Sequence, residues 1–391
     1  MQGLASPFRL IILLQVFFYS FAVRAQNFGA PEQANSIFEK SRASIVFAHQ
    51  NPTNPISMFG HTFIVFHNDF PPEPLAPAVE FMGIIESGFP DFLGAVSTGI
   101  EGKFILRTFV EKQTVYGLES RDLWIYELAL SEAELNDLKE GLSNQINKTA
   151  DYHFFSQNCS YWVYKYLNLY KECGGLGTTF TLPAETVRAL DSCQKIKSRH
   201  FLASDYTKAK QAYQKLKRVE QKTVSSVLNS GYLPQNSNFN ADQKNAIGYG
   251  LNYLLPLEED QQRRKNLEQI KRNFPVKRLE EDHPPKDPSN FSRERKLSVG
   301  GFPISEAISL SYRHLQHDFA SAYSEHLRES TLEVLPIAFL FSPSKTGLQY
   351  LYPLRVQAVE PNYFLTSPKV FHLEIGFEEW IPSHLKLREY K

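Results

Sequence analysis

No sign of charge dominates this 391-residue chain: 42 Lys and Arg stand against 42 Asp and Glu. A balanced chain lacks the basic face that phosphate neutralisation requires, so nothing in it points to nucleic acid or an anionic membrane surface as partner. Long apolar runs are missing too, with one exception. Residues 10–23, behind Arg9, are almost unbroken Ile, Leu, Val and Phe, about 14 residues where a bilayer span needs roughly 20. That short core, followed by Val23-Arg24-Ala25, has the pattern of a secretory signal. Removal of residues 1–25 starts the mature chain at Gln26 and leaves 366 residues, enough for about two domains. The expected mature protein is exported, and either soluble or held to a membrane by something other than a helix. No internal repeat is visible.

Cysteine is scarce, three in all, and the odd number matters. Exported thiols tend to pair, so one must stay single. Cys173 and Cys193 flank the glycine-rich stretch 174–177, and closing a loop of that size would stabilise the fold by about 3 kcal/mol through lost unfolded-chain entropy. That pairing leaves Cys159 free. Cys159 with Cys173 is a competing pair, and fully reduced, buried thiols are a third possibility.

What the chain does contain is a set of alternating strand signals followed by helices. Residues 34–47 read as a short helix, and 61–66, 79–85, 104–109 and 122–128 read as strands joined by connections such as the glycine-rich 94–102. Residues 131–146 form an amphipathic helix: Ser131 and Glu134 make a capping-box pattern, and Leu135, Leu138, Leu142 and Ile146 share one face. A second helix opens at Cys159, with Trp162, Val163, Tyr166 and Leu167 spaced to pack on a sheet. Residues 201–299 read as a charged helical region and linker, and 300–391 as a β-rich module. Four strands are expected there (307–315, 331–341, 348–359 and 370–377), too few to close a membrane barrel, which takes at least eight.

Two apolar segments each deliver one reactive side chain: His61 in Phe59-Gly60-His61-Thr62-Phe63, and Cys159 in Phe154-Phe155-Ser156-Gln157-Asn158-Cys159-Ser160-Tyr161. A thiol at a helix N-terminus has its thiolate favoured by the helix dipole, and a neighbouring imidazole takes its proton. The bland readings are a buried inert thiol and a structural histidine. A zinc site of His61, His67 and Cys159 is disfavoured, since six strand residues separate the two imidazoles by about 20 Å. No metal and no cofactor is expected.

These segments, with Glu119-Ser120-Arg121-Asp122-Leu123-Trp124 and Leu182-Pro183-Ala184-Glu185, resemble the successive motifs of the Lnb N-terminal periplasmic domain family over roughly residues 40–200. Residues 300–391 resemble, less specifically, a β-rich companion domain. The family is similar to circularly permuted papain-like (NlpC-type) folds, in which a His-bearing strand precedes an Asn-Cys helix start. The resemblance implies an α+β fold over residues 26–200, with Cys159 as nucleophile and His61 as base. The group orienting the imidazole should come from the following strand, which points to Glu80, where the family more often carries Asn. Gln157 and Asn158 could supply amides near an oxyanion, or Asn158 could simply cap the helix. Arg121 and Asp122 read as a structural ion pair. The implied activity is that of a thiol hydrolase or acyltransferase acting on a peptidoglycan peptide or a lipid of the bacterial envelope, with outer-membrane association possible. The rival class is a non-catalytic scaffold or binding protein with a vestigial Cys–His pair.

Overall fold

The computed structural model describes residues 35–49, 60–86, 89–167, 182–234, 238–276, 284, 287–290, 296–302, 307–317, 330–341, 346–359 and 370–378. The N-terminal apolar segment, Gln26 and Cys173 lie outside them. The chain divides into two compact units, the first reaching Asn290 and the second running from Phe291.

The first unit is built on seven strands: β1 (Arg42–Ala48), β2 (His61–His67), β3 (Pro77–Gly83), β4 (Ile100–Thr108), β5 (Leu123–Leu128), β6 (Thr149–Tyr152) and β7 (Ile196–Leu202). They pair antiparallel throughout, in the order β6-β4-β3-β2-β1-β5-β7. Helices surround this sheet: α1 (Phe89–Ser97), α2 (Phe109–Leu118), α3 (Glu132–Ser143), α4 (Cys159–Tyr166) and α5 (Pro183–Ser192). Four more follow it: α6 (Asp205–Gln214), α7 (Arg218–Ser230), α8 (Ala241–Leu254) and α9 (Gln261–Asn273). The unit is therefore α+β.

The helix expected over residues 34–47 is instead a 3-10 turn at Asn35–Ile37 followed by β1. Ala43 to Ala48 are all buried, and a strand covered on both faces shows a continuous apolar run whose spacing does not separate strand from helix. Branched Ile45 and Val46 favour the strand, and β2 and β5 satisfy its backbone on both sides. The glycine-rich connection at 94–102 turns out to hold the end of α1 and the start of β4. Helix α3 begins as its capping box requires, with the Ser131 hydroxyl accepting from Glu134 N and the Glu134 carboxylate accepting from Ser131 N.

Register decides which side chains share a face. Ile64 pairs with Val79, and Phe81 with Phe104, so Thr62, Ile64, Phe81 and Phe104 lie together. Helix α4 covers this face, with the Trp162 ring 5.4 Å from Phe81 and 5.2 Å from Phe104. On the opposite face sit His61, Phe63 and Glu80 with the core of Val46, Ala48, Val65, Ala78 and Ile125, covered by α2 through Phe109 and Tyr116. Each fully buried Phe or Ile in these layers contributes about 1.5–3 kcal/mol.

The second unit is a five-stranded antiparallel meander: β8 (Lys296–Phe302), β9 (Ala307–His317), β10 (Ser330–Phe341), β11 (Thr346–Val359) and β12 (Val370–Glu378). Four of these match the expected strands. The fifth, β8, contains Gly300 and Gly301 and reads locally as a linker. Pairing with β9, Gly300 opposite Ser309 and Gly301 opposite Ile308, makes it a strand.

Candidate active site

His61 is the first residue of β2, and the residue before it explains how it gets there. Gly60 has φ +87°, and a Cβ on it would stand 2.8 Å from the Ala48 carbonyl oxygen and 3.0 Å from the Phe47 ring. Only glycine takes that turn without strain, so the chain enters β2 tight against β1 and sets His61 opposite Ala48. The far end of β1 is pinned by Arg121, whose Nη2 donates to the Ala48 carbonyl at 3.2 Å and whose Nη1 pairs with Glu119 at 2.8 Å. Asp122, expected as the partner of Arg121, accepts from Ser204 N at 2.7 Å and Thr207 Oγ1 at 3.0 Å. Both residues brace the frame.

Cys159 is the first residue of α4, and Asn158 is its N-cap. The Asn158 side-chain oxygen accepts from Ser160 N at 3.0 Å and Tyr161 N at 3.2 Å, while its Nδ2 donates to the Phe154 carbonyl at 3.0 Å. These bonds occupy both ends of the amide, so its work is to start the helix at Cys159. Gln157 is exposed, and its carbonyl accepts from His153 N at 3.4 Å. Next to the thiol, Ser160 Oγ lies 3.0 Å from Thr62 Oγ1 and locks the helix start to β2. Thus the helix on one face of the sheet and the histidine on the other meet over the beginning of β2.

The imidazole of His61 hydrogen-bonds two groups, the Cys159 thiol and Glu80. The latter bond is Nε2 to Glu80 Oε2 at 3.1 Å. Glu80 lies on β3 and is buried. A residue that sequence reasoning missed holds it there: Lys112 of α2 donates to both Glu80 oxygens at 2.6 Å. The Lys112 ammonium also lies over the Tyr116 ring, 4.9 Å from its centroid. A signal for it exists. Phe109, Lys112 and Tyr116 follow helical spacing and all are buried, and a lysine in a buried stripe demands an anion. Its helix also begins with a capping box, Thr108 with Glu111.

The electrostatics follow from this chain of contacts. Burial pushes the Cys159 thiol up, but the charge and hydrogen bond of His61, with the Thr62 N–H and the Ser160 hydroxyl, outweigh it and bring the thiol down to about 7. Burial pulls His61 down. The charge and hydrogen bond of Cys159, then those of Glu80, overcome that and raise it to about 9. Glu80 would rise by burial, yet Lys112 and His61 hold it at about 2. Each partner favours the charged form of the other, so near neutral pH the pair leans toward thiolate and imidazolium.

These groups line a cavity of about 150 Å³ whose walls include Met82, Ile85, Tyr116, Tyr152 and Phe154. His67, at the other end of β2, is buried against Ser44 Oγ, 2.8 Å from its Nε2, and takes no part. Cys159 is free and buried. The pairing of Cys173 with Cys193 falls on a residue outside those described.

Residues 30–192 match the Lnb N-terminal periplasmic domain, the family that the sequence motifs resemble. No curated protein matches the chain, and no solved structure does. Among the described residues no helix is long and apolar enough to cross a membrane.

Proposed function

We propose that this chain is an exported cysteine-dependent hydrolase or acyltransferase that attacks an amide or ester acyl group in the bacterial envelope, on a peptidoglycan peptide or a lipid. One observation carries the reading: a single imidazole hydrogen-bonds both the thiol at a helix N-terminus and a buried carboxylate that a lysine keeps charged. The order, His61 on a strand before Cys159 at a helix start, fits a circularly permuted papain-like domain. In the same reading residues 1–25 are removed on export, and Cys173 bonds Cys193 so that Cys159 remains the reactive thiol.

The chemistry runs in two halves. The Cys159 thiolate attacks the acyl carbon, and the carbonyl π electrons move onto oxygen. The Cys159 backbone N–H, at the helix start, is the oxyanion donor this arrangement offers. His61 gives its proton to the departing amine or alcohol as the carbon–heteroatom bond breaks, leaving a thioester. Water, an amine or a hydroxyl then gives a proton to His61 and attacks the thioester, and the thiolate departs. Glu80 orients the ring and offsets its charge. Lys112 keeps Glu80 anionic and fixed without touching substrate.

The alternative, an envelope scaffold with a vestigial pair, draws on the size of the cavity, since ligand pockets usually run to roughly 300–1,000 Å³. The rate of Cys159 alkylation by iodoacetamide as a function of pH separates the two. For a catalytic pair the half-maximal rate comes near pH 7, against roughly 8.5 for a free thiol. His61→Ala moves it up by more than one unit and slows the reaction at pH 7 about tenfold. Equal profiles in the two proteins would end the enzyme reading.

A further inference from the structure

The wall of the Cys159 cavity contains a hydroxyl that no described residue satisfies. Tyr116 of α2 lines the cavity beside His61, Glu80 and Cys159, and it is only 4% exposed. A buried tyrosine usually finds a partner for its hydroxyl, because an unbonded buried donor is destabilising. Among the described residues the Tyr116 hydroxyl makes no hydrogen bond, and the close contacts are made by the ring. It stacks on Phe63, with centroids 5.7 Å apart and 17° between planes, and lies 6.3 Å from the His61 ring. The Lys112 ammonium and the Arg121 guanidinium both lie over it, at 4.9 and 4.7 Å. Lys112 is fastened to Glu80, and Arg121 to Glu119 and the Ala48 carbonyl, so the ring is held where it is. The cavity is then where a partner for the hydroxyl must come from. Burial, then the charge of Glu80, with Glu119 and Cys159 adding, keeps the Tyr116 proton in place well above the ordinary phenol range. The group is therefore a neutral O–H donor at working pH. A second tyrosine of the same wall, Tyr152, packs on Phe81 at 5.9 Å and against Gly83 and Gly102, and among the described residues it makes no ring contact with His61.

We propose that the Tyr116 hydroxyl is a catalytic hydrogen-bond donor to the acyl oxygen of the substrate, acting together with the Cys159 N–H. The inference rests on the acyl-transfer reading above. The two donors come from opposite faces of the sheet, Tyr116 from α2 and the N–H from the start of α4, with the thiol and the imidazole meeting between them. As the thiolate sulfur bonds the acyl carbon, the carbonyl π pair moves onto oxygen. The Tyr116 O–H donates to that oxyanion and keeps its own proton. The pair returns to carbon as the bond to the leaving group breaks. A single donor of this kind contributes about 10²–10³ in rate, because it meets charge that exists only in the transition state and the intermediate.

The full chain and its Tyr116→Phe variant are each mixed with p-nitrophenyl acetate, where attack at a carbonyl builds an oxyanion. They are mixed separately with iodoacetamide, where attack at a saturated carbon builds none. Tyr116→Phe should release the first equivalent of nitrophenolate about 100-fold more slowly, with iodoacetamide alkylation of Cys159 within about twofold of wild type. Equal nitrophenolate bursts in the two proteins overturn the inference and leave acyl transfer standing. A matching fall in both reactions also overturns it, since Tyr116 would then only prop His61. So does a slow burst in Tyr152→Phe beside a normal one in Tyr116→Phe, which would move the donor to β6. A wild type that releases no more nitrophenolate than Cys159→Ser refutes the acyl-transfer reading itself, and the inference falls with it.

Discussion

Replacing Lys112 by Met removes the cation that holds Glu80, and the structure sets the size and pH dependence of the consequence. Lys112 reaches both carboxylate oxygens at 2.6 Å, and both side chains are under 10% exposed. Removing one partner of such a pair leaves a buried charge and costs roughly 3–5 kcal/mol. A second route gives a similar figure. Lys112 and His61 together lower Glu80 from 4.5 to about 2, and at about 1.4 kcal/mol per pKa unit that is on the order of 3 kcal/mol of folding free energy, the ceiling on the share of Lys112. Because the folded value is depressed, this stability is fully present above the unfolded carboxylate value and is lost as pH falls through about 2. Urea unfolding of wild type and Lys112→Met should therefore differ by up to about 3 kcal/mol at pH 7. The gap should narrow as pH drops below about 4.5 and largely close near pH 2. Lys112→Arg, which keeps the charge, should recover part of the loss. A difference that stays constant from pH 7 to pH 3 would show that Lys112 contributes packing alone and would refute the electrostatic reasoning.

Three further outcomes follow from other features. Gly60→Ala forces a β-carbon to within 2.8 Å of the Ala48 carbonyl at a φ of +87°; it should destabilise the protein by about 1–3 kcal/mol, slow Cys159 alkylation, and show both in parallel on a denaturation curve and a labelling assay. Mass analysis of the exported protein should find Gln26 at its start, and non-reducing peptide mapping should join Cys173 to Cys193. Retention of residues 1–25 would refute cleavage and revive a membrane anchor, and Cys159 inside a bridge would remove the resting nucleophile from the proposal.

Much of the local structure was legible because its causes are local. Helix α3 is written in the Ser131–Glu134 box and the spacing of Leu135, Leu138 and Leu142, all buried as that spacing requires. The start of α4 is written in Asn158, whose side chain caps the helix that Cys159 opens. Strand β1 was misread because a run buried on both faces loses the alternation that distinguishes strands. Strands β6 and β7 went unread for the opposite reason: one is four residues long, and the other interleaves Lys197, Ser198 and Arg199 between its apolar positions. Both exist because β4 and β5 offer them backbone partners.

The sequence by itself determined which residues bear chemistry and how each is presented, a histidine after a glycine at a strand start and a thiol at a capped helix N-terminus. It also carried the domain resemblance that residues 30–192 bear out. Tertiary structure alone decided that the two meet, because their 98-residue separation is closed only by α4 lying on the face of the sheet opposite α2. It decided too that Lys112, thirty-two residues from Glu80, would clamp that carboxylate. Capping and turn preferences act within a few residues and can be read from the chain. Charge coupling acts through space, and which charges become neighbours is known only once the strands have taken their register.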